Sequence, residues 1–337
     1  MSGKMKLNMS DGNGHRDFPA VLSVEPVGVR IRVPPPPYED AKSNRRSAII
    51  AAVLFALTVF STLAFGTEFA AAYAAGVAPF TDGNLFPYST VLHHPAILLT
   101  GFPFAFTLML ILLAHELGHF FACRYYRIPA SYPYFIPAPT LIGTMGAFIR
   151  IRAPIINRKA LFDIGLSGPV VGFLFALPAL AIAISVSKVV PGAAANAPLV
   201  FGNPLLVQLL EAVLRPNVKA GNLLLNPVGY AAWVGLFVTA LNLLPASQLD
   251  GGHVLYAVAP ERHRLLSLLV VITLLPLGYF WMGWVLWAFL LLIIGLRHPP
   301  LLDRWEPLDA KRRFWAFVGL VIFLLCFTPI PFSLHGA

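Results

Sequence analysis

Two histidines and a glutamate interrupt an otherwise hydrocarbon stretch, Leu112-Leu113-Ala114-His115-Glu116-Leu117-Gly118-His119-Phe120-Phe121. On a helix, His115 and His119 are four residues apart and project from one face, close enough to share a metal ion, while Glu116 is offset by one position. Neutral imidazoles hold such an ion, the ion lowers the pKa of a bound water toward neutrality, and a neighbouring carboxylate can take the proton. A chance His-Glu-x-x-His in a chain of this length is expected about one time in a hundred. Burial in an apolar span makes chance a poorer explanation, because ionisable groups are costly there and are by default functional. A structural histidine or a glutamate on an ion pathway are the competing explanations.

The composition says what kind of molecule must position these groups. The 337 residues are 58% hydrophobic and only 12% charged, with a mean hydropathy of +0.74, values that exclude an ordinary soluble domain and imply a polytopic membrane protein. The formal net charge of +9 does not imply a nucleic-acid partner, because the basic residues cluster between apolar spans instead of forming one stripe. Cys123 and Cys326 have neither pairing nor metal spacing and are expected to be packing residues.

Residues 1–46, with the Pro34-Pro35-Pro36-Pro37-Tyr38 run, are expected to be a flexible cytoplasmic tail without an apolar segment of signal-peptide type. The first span is expected over Ser47–Phe65, and the Gly-, Ala-, Pro- and Tyr-rich residues 66–95 as an outer covering segment. The second span, Ala96–Phe121, carries the histidines near its far end. Between Arg124 and Lys159, Pro129, Pro133, Pro137 and Pro139 prohibit a continuous helix, and the segment Gly143–Arg152 ends in strand-like alternation, so a short β-hairpin or re-entrant segment near the histidines is expected. The third span, Leu161–Val186, opens with Gly165, Gly168 and Gly172 on or near one face, which permits close helix packing. Residues 204–214 read as an amphipathic helix lying in the interface. A fourth span runs from Pro227 to Leu244, and the apolar stretch 265–296, broken at Pro276 and Gly278, is expected to form two short spans. The last span is Phe314–Pro329. The fold class is therefore all-α and polytopic, with about seven transmembrane helices. A membrane-embedded core at 47–300 is followed by a cytoplasmic connector and last helix at 301–337. With a cytoplasmic amino terminus, 21 of the 24 Lys and Arg residues fall on the inner side, as the positive-inside rule requires. The histidine end of the second span then faces the cytoplasm.

A catalytic zinc ordinarily has three protein ligands and an open position. Acidic residues are scarce after residue 46, and discarding those in polar loops or on the outer side leaves Asp163 and Asp250. Asp163, beside Arg158 and Lys159 at the start of a span, is explained by an ion pair or a helix-dipole role. Asp250 ends the stretch Asn242-Leu243-Leu244-Pro245-Ala246-Ser247-Gln248-Leu249-Asp250, before Gly251-Gly252. A helix-cap or turn role accounts for it equally well on local grounds. Its depth, level with the histidines, favours a carboxylate aimed inward.

The motif His115-Glu116-Leu117-Gly118-His119, the segment Gly143-Thr144-Met145-Gly146-Ala147, and Asn242 and Pro245 ahead of Leu249-Asp250-Gly251-Gly252 together resemble the site-2 protease family, intramembrane zinc metalloproteases that cut single-span substrates. The resemblance covers residues 47–300. It implies one catalytic Zn2+ per chain, held by His115, His119 and Asp250, with Glu116 as the catalytic base and Asn242 as a polar group of the site that touches a ligand or the transition state. Residues 187–226 are too short for the PDZ domain of some members, and residues 330–337 too short for a nucleotide-sensing pair.

The function expected is hydrolysis of a peptide bond within the bilayer, in a single-span membrane-protein substrate. A helical substrate must unwind to present a carbonyl, and the strand-like Ala147, Phe148 and Ile149 are candidates to receive it by edge pairing. A surface hairpin with no substrate contact is the competing explanation. The alternative function is an ion or metal transporter using the same buried cluster, which the lack of a visible inverted repeat disfavours.

Overall fold

The computed structural model describes residues 24–25, 28–29, 41–81, 87–139, 142–193, 197, 199–219, 221–299, 301, 303 and 305–334. The chain divides into two units, Met1–Asp40 and Ala41–Ala337. In the first, β1 (Val24–Glu25) and β2 (Gly28–Val29) pair antiparallel; the Pro34–Tyr38 run lies outside the described residues.

The second unit is mostly helical. Three of its helical segments, Arg45–Ala75, Pro95–Tyr125 and Arg158–Val186, are long and apolar enough to cross a membrane by length and composition. The first belongs to α1, Ala41–Ala75. This helix runs well past Phe65, where the apolar pattern had suggested an end and a covering segment. Its extension Gly66–Ala75 contains five alanines, the strongest helix formers. Gly66 does not break it, because the glycine is where Gly101 packs: a Cβ there would lie 2.4 Å from the Gly101 carbonyl oxygen. After a short α2 (Tyr88–His93), a 3-10 turn at Pro95–Gly101 leads into α3, Phe102–Tyr125, which carries the histidine motif.

The proline-rich stretch that follows forms the expected hairpin. Strands β3 (Tyr134–Pro137) and β4 (Thr144–Phe148) pair antiparallel, Phe135 opposite Ala147, with a bulge between Phe135 and Pro137. The pairing continues through Ala130 opposite Ile151. The hairpin tip rests against the middle of α1: Ser61 Oγ donates to the Gly143 carbonyl at 2.6 Å. Gly143 has φ +76°, and any Cβ there would lie 2.7 Å from the α1 backbone.

Helix α4, Arg158–Val186, starts on an Asn157 cap that accepts from the Ala160 N–H at 2.8 Å. Beyond it β5 (Lys188–Val189), β6 (Leu199–Phe201), the amphipathic α5 (Leu205–Leu214) and β7 (Leu223–Leu224) form a small cover in which β5 pairs with β7. Asn226 and Pro227 then start α6, Pro227–Asn242, the most completely buried helix; a Pro at the first helical position forfeits no internal hydrogen bond. Pro245 ends this run as expected. A helix absent from the sequence reading follows, α7, Asp250–Val258. The apolar stretch 265–296 is divided as expected, into α8 (His263–Leu277) and α9 (Gly283–Ile294). Helix α10 (Ala310–Cys326) leads to β8 (Phe332–Leu334), which returns to pair with β6.

Candidate metal centre

Helices α3, α4, α6 and α7 converge on the histidines, and each supplies something different. From α3, His115, Glu116 and His119 are all buried. Nε2 of His119 lies 3.1 Å from Nε2 of His115. The third donor comes from the start of α7, where Oδ2 of Asp250 is 3.2 Å from Nε2 of both histidines. Among the described residues this is the one group of three such side chains whose donor atoms all come within metal-sharing reach. A tetrahedral ion with ligands at about 2.0–2.1 Å separates its donor atoms by roughly 3.3 Å, close to the triangle observed.

The hydrogen bonds set the tautomer that such an ion requires. Nδ1 of His119 faces the Ile164 carbonyl of α4 at 2.7 Å, which can only accept, so Nδ1 carries the proton and Nε2 presents its lone pair to the cluster. On the other side, the Asn242 amide donates toward Nε2 of His115 at 3.2 Å, the same nitrogen that faces Asp250. Asn242 is the last residue of α6, so the end of that helix touches the site directly. The donor set is thus two unprotonated ring nitrogens and a carboxylate oxygen, which suits zinc.

The α4 glycines make room for it. A Cβ at Gly172 would lie 3.1 Å from Nδ1 of His115, and one at Gly165 would lie 2.9 Å from Cβ of His253 and 3.1 Å from the Asp250 carbonyl oxygen. Gly118 plays the reciprocal part on α3, where a Cβ would come within 2.6 Å of the Ser167 carbonyl oxygen. The glycine spacing had indicated a close helix contact; the contact turns out to be the floor of the histidine cluster. Glu116 is flanked on its other side by the hairpin, where the Ile149 backbone is a hydrogen-bonding neighbour of its carboxylate. Ala147 and Phe148 lie immediately before this point on β4. Phe148 is substantially exposed and Ala147 partly buried.

Asp163 lies in an ion pair, although not with Arg158 or Lys159. It accepts from Nε of Arg312 at 2.9 Å, and a second guanidinium nitrogen and the Tyr126 hydroxyl complete the set. Lys159 pairs with Glu306, while Arg158 donates to the Ala257 carbonyl at 2.8 Å at the end of α7. The Arg312 interaction, which ties α10 to the ends of α3 and α4, spans 149 residues and leaves no local signal in the sequence.

A buried motif helix of the His-Glu-x-x-His type, completed by a carboxylate from a separate helix, defines a metallopeptidase-like centre. Comparison with known proteins agrees. The profile of Peptidase family M50 matches residues 103–282, slightly more than half the chain. The chain is 32% identical over 216 residues to Probable zinc metalloprotease EGY1, chloroplastic, of Oryza sativa subsp. japonica, covering 61% of this chain and 37% of that protein. It is 30% identical over 298 residues to Probable zinc metalloprotease EGY1, chloroplastic, of Arabidopsis thaliana, covering 84% and 53%. To Probable zinc metalloprotease EGY2, chloroplastic, of Arabidopsis thaliana it is 27% identical over 245 residues, covering 70% and 43%. The chain therefore spans about half or less of the length of these relatives. No solved structure matches. The chain belongs to peptidase family M50, the site-2 protease family of zinc metalloproteases, as the motifs had suggested.

Proposed function

We propose that this protein is an intramembrane zinc metalloendopeptidase that cleaves the transmembrane segment of single-span membrane-protein substrates. One observation carries the reading: Nε2 of His115, Nε2 of His119 and Oδ2 of Asp250 lie within 3.2 Å of one another, with the Glu116 carboxylate buried next to them. His115, His119 and Asp250 would hold one zinc ion per chain. When bound, the ion polarises the scissile carbonyl and acidifies the attacking water.

The chain's own residues do the rest. Glu116 is placed to take the proton of that water and to return it to the leaving amine nitrogen. The Ile164 carbonyl keeps His119 in the one tautomer that leaves Nε2 free. Asn242, with its amide 3.2 Å from Nε2 of His115, loses that acceptor when the nitrogen binds zinc and can then offer its N–H to negative charge developing on a nearby carbonyl oxygen. An unwound substrate segment needs partners for its freed backbone groups. Among the described residues β4 pairs only with β3, so its second edge carries backbone donors and acceptors that lead straight to Glu116. Pairing along Ala147, Phe148 and Ile149 brings a scissile bond to the base.

The same reading sets the membrane layout. Seven spans, comprising the three long helices and α6, α8, α9 and α10, put the histidine end of α3, the start of α4 and the end of α6 on one side. The distribution of Lys and Arg makes that side cytoplasmic. The hairpin tip, anchored at Ser61 midway along α1, is then re-entrant, with its backbone satisfied by protein. The experiment is reconstitution with a single-span substrate in lipid vesicles. Cleavage by the wild type and its loss in Glu116→Gln support the proposal. Metal or ion flux that survives in Glu116→Gln, without cleavage by either protein, supports the transporter alternative instead.

A further inference from the structure

Three buried polar side chains beside the Asp250 turn take no part in the chemistry described above: Ser247, His263 and Ser267. Ser247 lies three residues before Asp250 and has φ +55°, a left-handed conformation that a side chain disfavours and that persists only when its surroundings enforce it. Here they do. Its N–H donates to Ser267 Oγ at 3.1 Å, its carbonyl accepts from Nε2 of His263 at 3.1 Å, and its own hydroxyl donates to the Gly295 carbonyl at 2.7 Å. Every polar group of the strained residue is thus held by the α8–α9 hairpin, and both backbone groups by side chains of α8.

The turn in turn fixes the start of α7. A Cβ at Gly252 would lie 2.4 Å from the Ser247 carbonyl oxygen, and one at Gly251 would lie 2.1 Å from the Leu243 carbonyl oxygen. The first turn of α7 is therefore pressed directly onto the Ser247 turn, and only glycines allow it. Asp250 is the first residue of that helix. Moving the Ser247 carbonyl moves Gly252, and with it the neighbouring carboxylate. A second clasp reinforces the first. Nδ1 of His298 faces the Pro299 carbonyl at 2.6 Å and must donate, so its Nε2 accepts from Nδ1 of His253 at 2.9 Å.

We infer that His263 and Ser267 on α8 are positioning residues for the metal centre, which hold the Asp250 carboxylate at the two histidines by locking Ser247 in its left-handed turn. The inference rests on the proposed zinc reading. It adds a role for α8, a helix that supplies no member of the donor set, and explains why a buried histidine and a buried serine stand at its start.

The test measures the zinc dissociation constant of purified full-length protein by chelator competition, with Zn2+ as the probe, in wild type, Ser267→Ala, His263→Ala, Asp250→Ala and the double variant Ser267→Ala/Asp250→Ala. Ser267→Ala and His263→Ala should each weaken zinc binding roughly 10- to 100-fold, the range for outer partners of a ligand. In the Asp250→Ala background Ser267→Ala should cause no further loss, because its effect runs through that carboxylate. Ser267→Thr, which returns the acceptor oxygen, should recover most of the affinity. Wild-type affinity in Ser267→Ala, or an equal loss in the Asp250→Ala background, overturns the inference while leaving the zinc reading intact. Unchanged affinity in Asp250→Ala itself overturns both. Ser247→Gly keeps the left-handed backbone and its two α8 bonds, so it covers the case in which the alanine variants fail to fold. It should bind zinc within about twofold of wild type, and a tenfold loss contradicts the role given to α8.

Discussion

A methyl group on Gly168 would lie 2.1 Å from Nε2 of His119 and 2.5 Å from two ring carbons, so the space that one helix leaves empty is the space the other fills with a metal ligand. Real side-chain carbons do not approach so closely, and each helix is also held by others, α3 by α6 and α4 by α6 and α7. Gly168→Ala must therefore displace the imidazole. The variant should fold but bind zinc at least tenfold more weakly than wild type, which metal titration reads directly.

Glu116 is buried next to the donor cluster without being one of its three members. Glu116→Gln keeps the side-chain volume and removes the base. Zinc content should stay at the wild-type level while cleavage falls by roughly 10²- to 10⁴-fold, the usual contribution of a positioned acid–base group. Loss of zinc together with activity would make Glu116 a ligand.

If substrate adds to the free edge of β4, a cysteine at Phe148 in the Glu116→Gln protein should cross-link to a cysteine placed next to the scissile bond. A cysteine at the exposed Leu92 of α2 serves as the control and should not. Equal cross-linking at both positions argues against strand pairing.

Burial holds His298, which follows α9 in the chain, below the usual imidazole range, although its hydrogen bond to the Pro299 carbonyl opposes this. The unfolded chain therefore takes up this proton first as the pH falls, and the native state is penalised from about pH 7 downward, through the unfolded value near 6.5. Thermal stability should be flat above about pH 7.5 and decline toward pH 5. His298→Asn should show a shallower decline over that window. An unchanged slope would assign the loss to other groups.

Helix α10, beyond the residues matched by the family, is tied to Asp163 by a two-pronged Arg312 contact that the Tyr126 hydroxyl completes. Arg312→Ala should cost on the order of 1 kcal/mol, near the upper end for partly exposed pairs because the contact is bidentate. Zinc affinity should not change, because the pair touches no metal donor. A thermal melt alongside a zinc titration separates the two effects.

Much of the fold was legible in the sequence where a single local signal sufficed. The apolar lengths located α3, α4 and α6, Pro276 and Gly278 divided α8 from α9, and the prolines after Arg124 with the alternation before Arg152 indicated the hairpin. The reading of residues 66–75 as a covering segment failed because Gly and Ala look the same in a loop and in a tightly packed helix; Gly66 is there to admit Gly101. Helix α7 was missed because nine residues containing two glycines carry little helical signal, and it is held by packing against α4 and the Ser247 turn. The donor residues were nameable because charge is so rare in this chain. Arg312 on Asp163, His263 and Ser267 on Ser247, and the Ile164 carbonyl on His119 were not, since each joins residues far apart in the chain through polar atoms that follow no spacing rule.

Everything proposed for this protein requires that His115, His119 and Asp250 hold one ion between them. Metal analysis of purified wild-type protein beside Asp250→Ala tests it most directly. The wild-type chain should carry close to one zinc, and the affinity in Asp250→Ala should fall by more than the roughly 10- to 100-fold that accompanies loss of an outer partner. Wild-type zinc content and affinity in Asp250→Ala would contradict it.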